Sequence, residues 1–167
     1  MKLDIILVDI ALVAAVFVPY VLFILLGKKE ERKLMNRFSE EAKKYDLTFS
    51  EKDSWNNNLV GLDIGNKRIL LVQKRKTGLA VEFIDLKEVR TCEIYQEMQN
   101  IKTEQRSEDI LEKLGLQLKL NSGEVKFIEL YNCEETYVQD YELKHAEKWN
   151  KTINDLIAFR PTLNSAA

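Results

Sequence analysis

The sequence predicts an α+β chain: one N-terminal transmembrane helix, then about seven antiparallel strands, closed by a C-terminal helix. Three observations predict this class. An apolar run, broken only by Asp9, extends over Ile5–Leu26. Short runs of alternating apolar residues, separated by turn residues, fill Leu47–Tyr131 and are typical of antiparallel strands. Apolar residues then recur at three- and four-residue steps over Leu143–Leu156, which is typical of an amphipathic helix.

The composition is that of one folded domain without a strong charge bias. The chain has 167 residues, of which 46% are hydrophobic, and a formal net charge of -2. A general nucleic-acid binder presents a strongly basic face, so this balance predicts no nucleic-acid partner. Cys92 and Cys133 are the two cysteines. Two reduced thiols in a cytosolic domain are predicted, and a single disulfide is the alternative.

The apolar run is long enough to predict a membrane anchor. It extends about 30 Å as a helix, which matches the hydrocarbon core of a bilayer. A secretory signal peptide has a shorter apolar region followed by a small-residue cleavage site, which Leu25–Lys29 does not offer. Only Lys2 precedes the run, whereas basic residues cluster after it. The positive-inside rule then predicts a single-pass protein of the inner membrane, with the N-terminus outside and the C-terminal domain in the cytoplasm.

Three residues within the run suggest further roles. Asp9 lies about one turn from the predicted outer interface, so an interfacial carboxylate is expected. Ala11 and Ala15 form a small-xxx-small pair, which lets another helix approach closely. The expected partners are therefore the membrane and either another protein or a second copy of the chain.

The predicted boundaries divide the chain into four parts. They are a transmembrane helix at 4–27, a juxtamembrane stalk helix at 28–45, a folded domain at 46–160 and a flexible tail at 161–167. The stalk carries one apolar stripe, formed by Leu34, Phe38, Ala42 and Tyr45. This stripe predicts that the stalk packs partly on the domain or on another copy.

Alternation and turn residues predict the strands of the domain. The predicted strands are Leu47–Ser50, Val60–Ile64, Arg68–Lys74, Leu79–Ile84, Val89–Gln96, Leu114–Leu120 and Val125–Tyr131. Asp53–Asn58 is predicted as a turn, and Asn121-Ser122-Gly123 as the turn of the best-defined hairpin. Glu97–Lys113 is polar and predicts a long loop, with one helical turn capped by Ser107 as the alternative. Asp140 is the predicted cap of the last helix.

The order of these runs resembles the pleckstrin-homology-like fold. The runs that carry the resemblance are GLDI, RILLVQ, LAVEFI, VRTCEIY, LGLQLKL, VKFIELY and HAEKWNKTINDLI, within Leu47–Phe159. The resemblance implies an antiparallel, strongly bent sheet or partly open barrel of about seven strands, capped at one open end by the C-terminal helix. Bacterial membrane proteins often attach such domains to transmembrane helices. An unrelated α+β meander is the alternative, because the match is one of pattern and not of signature residues.

The same resemblance implies a lipid-contacting site. Eukaryotic members of the fold often bind inositol phospholipids through basic residues around the first hairpin. The matching positions are two hairpin tips that carry Lys67, Arg68, Lys74, Arg75 and Lys76. The alternative is that these tips are charged because they are solvated.

The sequence predicts no catalytic, metal-binding or cofactor-binding residue. His145 is the single histidine and is expected at the boundary of the last helix's apolar stripe. Two cysteines about forty residues apart do not have the ligand spacing of a zinc site, and both are expected in the core. Gly61–Gly65 lacks the pattern of a phosphate-binding loop.

These observations predict a non-enzymatic interaction or scaffolding module, with no cofactor and no identifiable small-molecule ligand. A sensor of anionic lipid headgroups is the alternative. Three candidate surfaces are the groove between the C-terminal helix and the sheet edge, the Glu97–Lys113 segment and the basic hairpin tips.

Overall fold

Seven antiparallel strands form two sheets between two helices. The computed structural model describes residues 2–103, 106–136 and 141–158, with side chains from residue 12 onward except 24–26, 28 and 101–108. The elements are α1 (Lys2–Lys44), β1 (Glu51–Trp55), β2 (Asn58–Asp63), β3 (Arg68–Arg75), β4 (Gly78–Asp85), β5 (Val89–Thr103), β6 (Arg106–Leu120), β7 (Val125–Asn132) and α2 (Glu142–Ala158). Sheet 1 has the order β1-β2-β3-β4 and sheet 2 the order β5-β6-β7.

The main core lies between the two sheets and α2. Helix α2 contributes Ala146, Trp149 and Ile153, which follow one another at helical spacing and are almost inaccessible to solvent. Sheet 1 contributes alternate residues such as Leu62 and Leu71 to this core. The predicted amphipathic C-terminal helix is therefore confirmed.

Sheet 1 is buried on its other face too, where α1 covers it. Leu34 and Phe38 of α1 pack against Leu59, Leu70 and Val72 in a second apolar cluster. Burial on both faces explains why Ile69–Val72 of β3 is continuously apolar and does not alternate. The predicted packing of the stalk stripe on the domain is confirmed.

The predicted transmembrane helix is overturned. Helix α1 is continuous from Lys2 to Lys44. Among the residues that the structure describes, no helix offers a stretch long and apolar enough to cross a membrane. This finding contradicts the predicted membrane helix at 4–27 and the predicted single-pass inner-membrane location.

The predicted single bent sheet or barrel is corrected to two sheets. The link between β4 and β5 is a tight turn, in which the Glu88 and Val89 amides donate to the carbonyls of Asp85 and Leu86. This turn directs the chain into a second sheet. Where β7 approaches sheet 1, side-chain amides join them: Asn58 Nδ2 donates to the Leu130 carbonyl over 2.9 Å.

The described residues of the polar segment Glu97–Lys113, which are 97–103 and 106–113, are strands and neither a loop nor a helical turn. They form the outer half of a long β5–β6 hairpin, in which Asn100 faces Asp109 and Glu97 faces Lys113. Asn100 Nδ2 donates to Asp109 Oδ1 over 2.6 Å, and Lys113 Nζ lies 3.4 Å from Glu97 Oε2. These cross-strand polar pairs help to stabilise the ladder. The sequence pattern did not reveal it because the few apolar residues of this segment do not alternate with polar ones.

The first strand is also displaced from its prediction. Residues 47–50 are not a strand, although the Ser50 amide donates to the Leu62 carbonyl. Strand β1 lies at Glu51–Trp55, within and just before the predicted turn. The predicted strands at Arg68–Lys74, Leu79–Ile84, Val89–Gln96, Leu114–Leu120 and Val125–Tyr131 are confirmed. The predicted cap at Asp140 and the tail at 161–167 lie outside the described residues.

Candidate functional site

The five basic residues predicted to contact lipid do not form one patch. Lys67 and Arg68 lie at the start of β3, and Lys74–Lys76 at its end, about 25 Å away along the strand. Most of them already have partners. Lys67 Nζ donates to the Leu156 carbonyl, Arg68 lies beside Asp85, Lys74 beside Glu30, and Arg75 pairs with Glu129. The arrangement does not favour a single anionic headgroup site.

The predicted helix-packing pair is only partly described. Ala15 is exposed on α1, and the side chain of Ala11 lies outside the described residues.

The two cysteines are free and do not form a reactive site. Burial, together with the nearby charge of Glu93, raises the pKa of the Cys92 thiol to about 12. The thiol therefore stays protonated at neutral pH and is a poor nucleophile. Cys133 is partly buried against the main core. In the described part of the chain, no group of three or more His, Cys, Asp and Glu residues is placed to hold a metal ion.

A polar ladder joins β1 to α2, and no motif or period in the sequence predicts it. We call it the β1–α2 ladder; its residues are Glu51, Asp53 and Trp55 on β1 and Glu142, His145 and Lys148 on α2. Trp55 Nε1 donates to Glu142 Oε2 over 2.6 Å, and His145 Nδ1 lies 3.1 Å from Asp53 Oδ2. Lys148 Nζ lies 2.8 Å from Glu51 Oε1. Every second residue of β1 thus contacts every third residue of α2.

The ladder fixes the first turn of α2 in place. Glu142 is only 3% exposed and also accepts a hydrogen bond from Asn56 Nδ2, so its carboxylate is held by two donors. The rings of Trp55 and His145 stack with centroids 4.4 Å apart. His145 is thus a structural residue that anchors the helix. A carboxylate in the first turn is also favoured by the helix dipole.

The charge of Asp53 is stabilised by the ladder. Burial alone would raise the pKa of this carboxyl, but hydrogen bonds from Lys148 and His145 outweigh burial and hold the pKa below its ordinary value. Asp53 is therefore ionised throughout the neutral range and can hold the helix.

A side chain of α2 caps part of the free edge of sheet 2. Asn154 Oδ1 accepts from the Cys92 amide over 3.0 Å, and Asn154 Nδ2 donates to the Cys92 carbonyl over 2.8 Å. One side-chain amide thus replaces one residue of a neighbouring strand. We call this contact the Asn154 clamp. It protects the edge of β5 from pairing at this point.

The clamp shows which backbone groups of β5 face outward. Because the N–H and C=O groups of a strand residue point to the same side and alternate along the chain, Ile94 and Gln96 face the open edge as Cys92 does. In the part of the chain that the structure describes, no hydrogen bond is found on the outer side of either residue. Their donors and acceptors are available to another strand.

A groove lies beside this open edge, between the outer half of the β5–β6 hairpin and the first turn of α2. We call it the β5 groove; its volume is about 620 Å³. It is lined by Gln96, Met98, Leu111, Tyr141, Glu142, Leu143 and Lys144. Met98 is 53% exposed and Tyr141 70% exposed, so large apolar side chains are displayed. The β5 groove therefore joins two of the predicted candidate surfaces, which are the groove between the C-terminal helix and the sheet edge and the Glu97–Lys113 segment.

Lys144 places a positive charge at the rim of the β5 groove, beside the ring of Tyr141. Lys144 Nζ lies 4.6 Å from the centre of the Tyr141 ring. Tyr141 has a positive φ of 53° immediately before α2, a conformation that costs energy for a bulky residue. The β1–α2 ladder holds the next residue, Glu142, and so maintains this conformation.

Comparison with protein-family models, with curated proteins and with solved structures gives no match for this chain. The resemblance to the pleckstrin-homology-like fold therefore stays a prediction, and function is argued from the geometry alone.

Proposed function

We propose that this chain is a non-enzymatic interaction and scaffolding module that binds an extended segment of a partner protein in the β5 groove. The observation that carries the proposal is the open edge of β5, which lies beside an apolar groove. The Asn154 clamp ends this open edge at Cys92. An extended segment added to such an edge satisfies backbone donors and acceptors on both strands.

The groove supplies specificity for side chains. Met98, Leu111 and Leu143 offer an apolar floor to alternate residues of the bound segment. Lys144 at the rim favours an acidic residue at a neighbouring position, because the two charges attract. The preferred partner sequence is therefore a short extended stretch with one or two large apolar residues and an acidic residue beside them.

Selection of peptides from a random 12-residue display library on the full chain tests this function. The selected peptides should carry the apolar and acidic pattern, and their affinity is then measured by fluorescence anisotropy. Gln96→Pro removes an outward amide donor without removing a bond to β6, so we expect affinity to fall at least tenfold. Leu143→Asp should weaken binding as much, because it places a carboxylate in the groove.

Two matched variants serve as controls. Gln96→Ala keeps the amide donor and should stay within about twofold of the original affinity. Val125→Asp changes an apolar residue of similar exposure, 48% against 41% for Leu143, on a strand away from the groove. The proposal would be contradicted if all four variants lost the same amount of affinity for the selected peptides, or if all four bound these peptides as well as the original chain does.

A further inference from the structure

The outer half of the β5–β6 hairpin is a ribbon of only two strands. Strand β7 pairs with β6 between Lys119 and Lys113. Beyond Lys113 the ribbon continues to the end of β5 at Thr103, and the part of the chain that the structure describes places no third strand beside it. A two-stranded ribbon is marginally stable by itself in water, and three or more strands are needed for independent stability. An added strand would therefore stabilise this part of the fold.

The edge of β5 that faces away from β6 continues along this ribbon. Glu97 pairs with Lys113 and Met98 with Leu111, so the extra residue of the bulge, Glu112, lies on β6. The alternation of backbone groups along β5 is therefore not interrupted. Met98 faces the same edge as Ile94 and Gln96, and an added strand can pair with β5 well beyond the β5 groove.

Met98 lies at the centre of this edge. The Asn154 clamp covers Cys92, so pairing can begin at Glu93, and β5 ends at Thr103. Residue 98 is midway between residues 93 and 103. If two such edges pair antiparallel about a twofold axis, Met98 therefore lies opposite its own counterpart. The end of each β5 strand then reaches Glu93 of the other copy, just short of the clamp.

The charges along β5 favour the same position for the axis. With the axis at Met98, Glu97 lies opposite Gln99 and Gln96 lies opposite Asn100, so no like charges face each other. With the axis at Glu97, two carboxylates would lie opposite each other, which is destabilising. The length of the edge and its charges thus agree on one register.

We propose that the extended segment bound in the β5 groove is β5 of a second copy of this chain, paired antiparallel about a twofold axis at Met98. The inference rests on the proposed function, because it uses the same edge and the same groove. Strand β5 carries the sequence pattern that the groove favours, a large apolar residue, Met98, beside an acidic residue, Glu97. Met98 of each copy enters the groove of the other, where Leu143 and Tyr141 are exposed in the single chain. The two ribbons join into one four-stranded sheet.

Cysteine cross-linking of the full chain tests the position of the axis. Opposite residues of an antiparallel pair have Cα atoms about 5.5 Å apart, which is within the ~4.4–6.8 Å range of a disulfide. Met98→Cys should therefore give a disulfide-linked dimer under mild oxidation. The matched control is Val125→Cys on β7, because Val125 is 48% exposed against 53% for Met98. It should cross-link at least fivefold less, with the original chain as the background for Cys92 and Cys133.

Sedimentation velocity of the full chain measures the association itself. The original chain should sediment as a dimer at micromolar concentration. Gln96→Pro removes a donor at the edge, and Met98→Asp places two carboxylates opposite each other, so each should weaken self-association at least tenfold. Val125→Asp should leave the dimer intact. An excess of a peptide selected on the β5 groove should convert the dimer into monomers, because both occupy the same edge.

Three results would overturn the second-copy inference. They are a monomer at all micromolar concentrations, equal cross-linking at positions 98 and 125, and a dimer that persists in both Gln96→Pro and Met98→Asp. In each case the proposed function still stands if selected peptides bind and Gln96→Pro weakens their binding. If Gln96→Pro changes neither peptide affinity nor self-association, the edge of β5 is not a binding site, and the inference and the proposed function both fail.

Discussion

Single residues decide how closely the layers of this molecule approach one another. At Gly61 a Cβ atom would lie 2.5 Å from the Phe49 ring and 2.6 Å from the Phe38 ring. These two rings stack with centroids 4.7 Å apart and close the second apolar cluster. The glycine is therefore required for α1 to dock on sheet 1, a role that its sequence context as a strand glycine did not reveal.

Gly61→Ala should destabilise the fold by about 1–3 kcal/mol, because both rings must move to accept the methyl group. Urea unfolding followed by circular dichroism measures the change. Gly27→Ala is the matched control: no atom lies within 4 Å of a Cβ there, and alanine favours a helix over glycine by up to ~1 kcal/mol. If both substitutions changed the free energy of unfolding in the same direction, the close approach of the two rings to Gly61 would not explain the effect of Gly61→Ala.

Asp53 makes the stability of the fold depend on pH in the acidic range. Its folded pKa is below the unfolded value of ~3.9, so its contribution is present above that pH and is lost as pH falls through the folded pKa. Asp53→Asn should cost about 1–3 kcal/mol at pH 7, and the difference from the original chain should shrink steadily below about pH 4.

Urea unfolding at several pH values checks this dependence. Asp155→Asn is the control, because Asp155 is exposed on the same helix. A difference between Asp53→Asn and the original chain that stays constant down to pH 2 would show that the carboxylate charge is not what stabilises the ladder.

At the scale of elements, the edge of β5 has two parts: one is covered by a contact within the fold, and the other is open to a partner. Cys92 is protected by the Asn154 clamp, whereas Ile94 and Gln96, two and four residues further on, are open. Asn154 is itself held by Asn150, one helical turn earlier, whose carbonyl and side-chain oxygens accept from Asn154 Nδ2. Helix α2 thus sets where added pairing along β5 must stop.

Asn154→Ala should release the clamp. Amide hydrogen exchange at Cys92 should become at least tenfold faster, and stability should fall by about 1–2 kcal/mol for the two lost hydrogen bonds. Lys151→Ala, an exposed change on the same helix, should alter neither quantity. Unchanged exchange at Cys92 in Asn154→Ala would mean that the clamp does not protect the edge.

The sequence predicted elements whose pattern is local and apolar. Leu114, Leu116 and Leu118 alternate ahead of a turn in which Gly123 has a φ of 91°, and the β6–β7 hairpin is found where the pattern places it. The outer β5–β6 hairpin is not predicted because its apolar residues are few and do not alternate with polar ones. The β5 groove depends on backbone groups and on a contact between residues 62 positions apart, neither of which a sequence period records.

At the scale of the whole molecule, sheet 1 is a wall shared by two cores. Leu70 and Leu71 are neighbours in sequence, yet one packs against α1 and the other against α2. The apolar length of residues 5–26 led to the prediction of an anchor joined to an independent domain. The contacts of Leu34 and Phe38 show instead that α1 belongs to the folded unit.

This shared wall determines how short a working fragment of the chain can be. A fragment that begins at Leu47 keeps every strand, but it loses the helix that covers Leu59, Leu70 and Val72. Its sheet would then present a contiguous water-facing apolar surface, and such surfaces cause aggregation. A fragment that does not aggregate must therefore begin before Leu34, so that it includes the C-terminal part of α1 that packs on sheet 1.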